Sequence, residues 1–194
     1  MRRAARPALT IDVVVVGGRW KQARFKAIVR RAVTQAAAKT LTSGTSASRA
    51  SATGTSTNGA ELAIVLTDDS GIRALNRDWR GIDKATNVLS FPAKNAPGHL
   101  GDIVLALDTV AREARAERKP FAHHLAHLAV HGFLHLVGYD HERSKDAVAM
   151  ERTEREILRE LAIPDPYRTA IPKSRAATRR PRQAGRTARH SRNA

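Results

Sequence analysis

HGFLHLVGYDH, residues 131–141, interrupts an otherwise apolar run with three histidines and one aspartate. His131 and His135 are four residues apart, so on an α-helix both imidazoles fall on one face, one turn apart. Gly138 follows three residues later and tolerates the left-handed backbone that turns a chain sharply out of a helix. His141 comes three residues after that and can fold back toward the first two. Three neutral imidazoles suit a zinc ion and leave a fourth position for water. Water at such an ion reaches a pKa near ~7, which supplies hydroxide at neutral pH. A lone histidine on an apolar face is usually a packed core residue. Three at this spacing, with a glycine at the bend, point to a metal.

The same spacing occurs in the metzincin pattern H-E-x-x-H-x-x-G-x-x-H. Here, however, Gly132 follows the first histidine. In the proteases a glutamate at that place is the general base. The metal frame is kept and the peptidase base is not, so hydrolysis of another kind of substrate is expected.

Outward from the motif, Pro120 precedes an expected helix from about Phe121 to Val137, and Gly138 ends it. A last amphipathic helix spans about Lys145 to Leu161, stopped by Pro164 and Pro166. Upstream, β-branched and apolar runs predict strands at 9–16, 61–68, 88–92 and 102–108. Helices are expected over 19–40, from a cap at Asp69 or Ser70 to about Arg77, and from Thr109 to about Lys119. Strands mixed with helices, and two helices in succession late in the chain, define an α+β class. Residues 40–60 are rich in Ser, Thr, Gly and Ala without periodicity and read as a flexible insertion. The expected organisation is a basic arm at 1–8, one domain at 9–163 and a basic, disordered tail at 164–194.

Composition sets bounds on function. The 194 residues contain no cysteine, which excludes disulfides and thiolate metal sites and agrees with a cytoplasmic protein. No apolar run approaches the roughly 20 residues needed to span a bilayer, so no membrane partner is expected. The basic start MRRAARP leads into an apolar patch broken by Asp12, and reads as an arm rather than a targeting signal. Net charge is +16, and residues 168–194 hold nine Lys or Arg and no acid. A polyphosphate such as nucleic acid is the natural counterpart.

HGFLHLVGYDH resembles the signature of the YbeY family, bacterial metal-dependent endoribonucleases of ribosomal RNA maturation. LNRDWRGIDKATNVLSFP at 75–92, LGDIVLA at 100–106 and MERTEREIL at 150–158 are similar to further blocks of that family. The resemblance implies a small mixed four-stranded sheet packed with helices, the metal helix at its centre. It implies one zinc ion, or another divalent ion, on His131, His135 and His141. It points to Arg80 as the functional arginine, where a guanidinium can bind two oxygens of a phosphorane-like transition state. It further implies cleavage of single-stranded regions in rRNA processing, at the 3′ end of 16S rRNA, and in ribosome quality control. RNA and the ribosome would be the partners of a monomeric chain. The insertion and the basic tail depart from the compact family pattern.

Other residues read less sharply. Lys84 is a candidate phosphate contact. Asp140 either orients an imidazole or caps the turn, and Tyr139 either packs or makes a hydroxyl contact. His127 shares the helical stripe of His131 as an outer partner or phosphate contact. Asp102 either shapes a pocket or bonds at a strand edge. His123 and His124 are expected to be partly exposed, and His99 and His190 incidental. No glutamate stands out as a general base, so either metal-activated hydroxide or the ribose 2′-OH could begin cleavage. Two competing readings remain: a metallopeptidase with a different base, and a non-catalytic ribosome-binding protein with structural zinc. The latter would need a fourth protein ligand.

Overall fold

The computed structural model describes residues 9–20, 23–41, 59–93, 96, 98–141 and 144–167. The expectations for the arm at 1–8, most of the insertion and the segment 168–194 lie outside the described residues. Four strands, β1 (Thr10–Val15), β2 (Glu61–Thr67), β3 (Val88–Pro92) and β4 (His99–Ala106), form one sheet in the order β1-β2-β4-β3. β1 pairs parallel with β2, and β2 parallel with β4. β3 closes the far edge antiparallel to β4. Five helices among the described residues complete the α+β fold: α1 (Ala23–Thr40), α2 (Asp69–Arg80), α3 (Leu107–Ala116), α4 (Phe121–Leu136) and α5 (Ser144–Glu160).

The period of two along the strands divides the core. Leu62, Ile64 and Leu66 of β2 and Ile103 and Leu105 of β4 face α1, α4 and α5. Val65, Leu89, Phe91 and Val104 face the other way, against Ile72 and Leu75 of α2. Helix α4 lies in the middle of the larger core. Leu125, Leu128, Val130, Phe133, Leu134 and Leu136 are all buried. Each such side chain is worth about 1.5–3 kcal/mol relative to exposure, so the helix bearing His131 and His135 is held firmly. Gly132 lets it approach the sheet: a Cβ there would meet Ile103 Cγ2 at 2.9 Å and Ser90 Oγ at 3.1 Å. The Ser90 hydroxyl donates to the Gly132 carbonyl at 3.0 Å. At the end of α4, Gly138 is left-handed at φ 85°. Its N–H donates to His135 O, and the Tyr139 N–H to Leu134 O, the paired bonds of a Schellman cap.

Several boundaries differ from expectation, and α1 begins at Ala23 rather than at 19. Asp68, not Asp69 or Ser70, caps α2, accepting from the Gly71 amide at 2.9 Å. Asp69 caps a different helix: its Oδ1 accepts from both the amide and the hydroxyl of Thr109 in α3. β4 begins at His99 and ends at Ala106, so Leu107 and Asp108 open α3 ahead of Thr109. A fully buried strand that runs straight into a helix keeps one apolar pattern across the junction. α2 also runs on to Arg80. The turn after it is held by the Arg73–Asp83 fork, with both bonds at 2.7 Å, and by Asn76 Nδ2 donating to Lys84 O. No described helix is long and apolar enough to cross a membrane.

Candidate metal centre

The Schellman turn brings His141 back over the face of α4 that carries His131 and His135. One ring nitrogen from each of the three lies within 4.8 Å of the others. His131 Nε2 and His135 Nε2 are 3.2 Å apart. Two nitrogens bound at 2.0–2.1 Å to a tetrahedral ion stand about 3.3 Å apart, so the pair already has the spacing of ligands. Asp140 Oδ1 accepts the His141 amide at 2.7 Å and fixes the turn. The donor set and its spacing fit a divalent ion.

The chief residue that sequence reasoning missed is Glu154 of α5. It has no solvent exposure. Its Oε1 stands 2.8 Å from His131 Nδ1. An ionised carboxylate can only accept, so the proton must sit on Nδ1 and the Nε2 lone pair is free to face the ion. The Tyr167 hydroxyl donates to the other carboxylate oxygen, and His127 Nε2 lies 3.6 Å from it. The Tyr167 ring also packs edge-on to His127. Thus Tyr167, which the sequence assigns to the tail, is tied to the centre of the domain. Glu154 shares the buried stripe of Met150, Ile157 and Leu158. An acid in phase with that apolar stripe was the signal available.

Electrostatics keep these groups in ligand-ready forms. Burial, followed by the charges of His131 and His141, lowers the His135 pKa to about 4 against the opposing pull of Asp140 and the Tyr139 backbone. At neutral pH this imidazole is unprotonated, as a metal ligand must be. Burial pushes the Glu154 carboxyl up, but the imidazoles of His127 and His131 and the Tyr167 hydroxyl outweigh it and hold the pKa down to about 2. Burial and then Glu154 raise that of Tyr167, which stays protonated.

Arg80 is not gathered into the trio. It is exposed at the end of α2, and its guanidinium donates to the Ser90 carbonyl at 3.3 Å. The Ser90 hydroxyl contacts Gly132, next to His131, so a single residue of β3 links the two regions. Lys84 is exposed in the turn after α2. Asp102 lies on the α2 face of β4, away from the histidines, and pairs with His99 at 3.4 Å. His124 corrects expectation: it is only 5% exposed, with Nε2 2.9 Å from Glu113. Glu113 also accepts from Asn87 Nδ2, which ties the start of β3 to α3 and α4. Tyr139 packs against the main core as expected. His190 lies outside the described residues.

A mixed sheet with a buried helix whose two imidazoles converge with a third from the turn after it defines an α+β protein whose centre can hold a metal ion. The sequence matches the family model described as Endoribonuclease YbeY over residues 21–162. The protein of that name from Rhodopseudomonas palustris (strain BisB18) is 53% identical, covering 80% of this chain and 90% of that one. Its counterpart in Nitrobacter hamburgensis is 52% identical, over 83% of this chain and 84% of its own. That of Bradyrhizobium diazoefficiens is 50% identical, over 80% and 84%. A solution structure of TM1509 from Thermotoga maritima aligns at a TM-score of 0.46 with 22% identity, covering 86% of this chain and 100% of that one. The chain belongs to the YbeY family of endoribonucleases.

Proposed function

We propose that this protein is a metal-dependent endoribonuclease that cuts single-stranded regions of ribosomal RNA precursors, in 16S 3′-end maturation and ribosome quality control. It works as a cytoplasmic monomer in contact with the ribosome. The observation that carries the reading is the convergence of His131, His135 and His141 in a chain of this family. These three would hold one zinc ion. The ion would supply a Lewis acid and lower the pKa of water.

The chain's own residues do the rest. Glu154 keeps the proton on His131 Nδ1 and fixes that ring. Its engagement on the Nδ1 side keeps it off the converging nitrogens, so it is an orienting group and not a ligand. Arg80 meets the negative charge that develops on the phosphodiester. Its side chain is exposed and reaches no carboxylate among the described residues.

The peptidase alternative gains no support from the geometry. Gly132, where the metzincin base would stand, faces the sheet, and a Cβ added there would lie 2.9 Å from Ile103 Cγ2. The structural-zinc alternative needs a fourth protein ligand, and the described group comprises three histidines. The test is incubation of single-stranded RNA, duplex RNA and casein with the protein, before and after chelation and zinc restoration. Cleavage of single-stranded RNA alone, lost on chelation and regained with zinc, is expected. Cleavage of casein, or RNA cleavage indifferent to chelation, would contradict the proposal.

A further inference from the structure

On the face of the sheet opposite α4, the end of α2 and the β3–β4 edge enclose a cavity of about 650 Å³. Phe91 and Val104 form its apolar floor. Trp79 stands against Phe91 with ring centroids 5.8 Å apart, yet is 70% exposed. Tryptophan is usually well buried, and the other tryptophan, Trp20, is only 5% exposed. Arg80 stands beside it and, among the described residues, donates only to the Ser90 carbonyl. Its neighbours on α2 differ: Arg73 pairs with Asp83, and Arg77 with Asp78. Asp102 lines the cavity with a carboxylate 46% exposed.

An open aromatic face, a hydrogen-bond acceptor and a cation without a carboxylate partner among the described residues match the three parts of one nucleotide. We infer that this cavity is a nucleotide subsite for the RNA strand, resting on the endoribonuclease reading above. A base stacks on Trp79, Asp102 accepts a hydrogen bond from an amino or imino group of that base, and Arg80 holds the phosphodiester next to it, the same group it meets in the cleavage reading above. Stacking on an aromatic side chain is the common device for single strands, where base faces are free. A carboxylate inside the cavity repels an acidic peptide or a lipid phosphate but suits a base edge, as it does cytosine N4. A net charge of +16 favours the same partner. The place also suits a polymer. β3 is the edge of the sheet, so a strand can pass around it. Ser90 touches Arg80 on one side and Gly132, beside His131, on the other.

The test uses the full chain, stripped of metal with chelator so that RNA stays intact. A single-stranded hexacytidylate and a hexamer of abasic ribose phosphates are titrated in, read by tryptophan emission and by anisotropy of a labelled strand. Trp20 is buried with its indole bonded to Thr67 O, so quenching reports Trp79. The cations of 168–194 meet phosphates equally in both oligomers, so only base contacts separate them. Hexacytidylate should quench emission, and Trp79→Ala should bind it roughly tenfold or more weakly, with Trp79→Phe restoring most of the affinity. The abasic hexamer should bind parent and Trp79→Ala alike. Equal hexacytidylate affinity for parent and Trp79→Ala would overturn the subsite. Cleavage by the zinc-restored protein is measured in parallel. Cleavage without base-dependent quenching removes the subsite and leaves the nuclease reading standing. Quenching without cleavage does the reverse.

Discussion

The two sides of β3 are built on opposite plans. Toward α4, the groups that face the histidine trio are fixed: Glu154 is wholly buried and bonded at both oxygens, and the His131 and His135 nitrogens stand 3.2 Å apart on a helix locked in the core. Toward α2, Trp79 and Arg80 project into solvent around an open cavity. The contrast teaches a division of labour. An ion needs donors placed to within a fraction of an ångström before it arrives. A flexible polymer can be captured by exposed side chains that adjust to it.

The comparison can be broken by substitution. On the closed side, His135→Ala should abolish both metal content and RNA cleavage. The loss should exceed the ~10–100-fold in metal affinity that outer partners cost, as read by elemental analysis and cleavage rate. On the open side, Arg80→Ala should keep its metal and lose about 100–1,000-fold in cleavage, the scale of removing one group that stabilises transition-state charge. Metal loss in Arg80→Ala would show that the two sides are not separate. Glu154→Gln comes next. It removes the carboxylate that fixes the His131 proton, so zinc affinity measured by competitive chelation should fall by about 10–100-fold. Unchanged affinity would remove Glu154 from the account.

pH sharpens the same contrast. The Glu154 pKa in the folded chain is about 2, below its ordinary 4.5. Between those values the unfolded state binds more protons, so stability is present above 4.5 and is lost as pH falls toward 2. The contribution is on the order of a few kcal/mol. Urea midpoints of the metal-free parent should drop from pH 4.5 to 3 more steeply than those of Glu154→Gln. Parallel curves would contradict this. The smallest effect belongs to the open side: Trp79→Ala should change unfolding stability by about 0.5 kcal/mol or less, because the ring is mostly in solvent. A larger loss by denaturant titration would make Trp79 part of the core.

Much of the closed side was legible in the chain because helical periodicity is local. His131 and His135 at a spacing of four, and Gly138 at the bend, need only α-helix geometry to be placed. β3 was readable at 88–92 because Pro92 ends a short β-rich run. What escaped depended on partners distant in sequence. Asp69 looked like the cap of its own helix, and instead caps α3 forty residues on. Glu154 looked like one more charge on an amphipathic helix, since nothing local says that α5 turns it onto His131. Arg80 could be singled out by resemblance but not placed, because its position depends on the edge strand β3. The exposure of Trp79 was equally hidden, since a tryptophan beside an arginine reads the same whether it is buried or open.

The central claim is that three imidazoles hold one divalent ion with a position left open. X-ray absorption at the zinc edge of the full chain loaded with one equivalent of zinc tests it most directly. The expected result is scattering from three imidazole rings at about 2.0–2.1 Å with one light oxygen neighbour, and loss of a ring in His135→Ala. A shell closed by a fourth protein side chain, or zinc bound without imidazole scattering, would contradict the account.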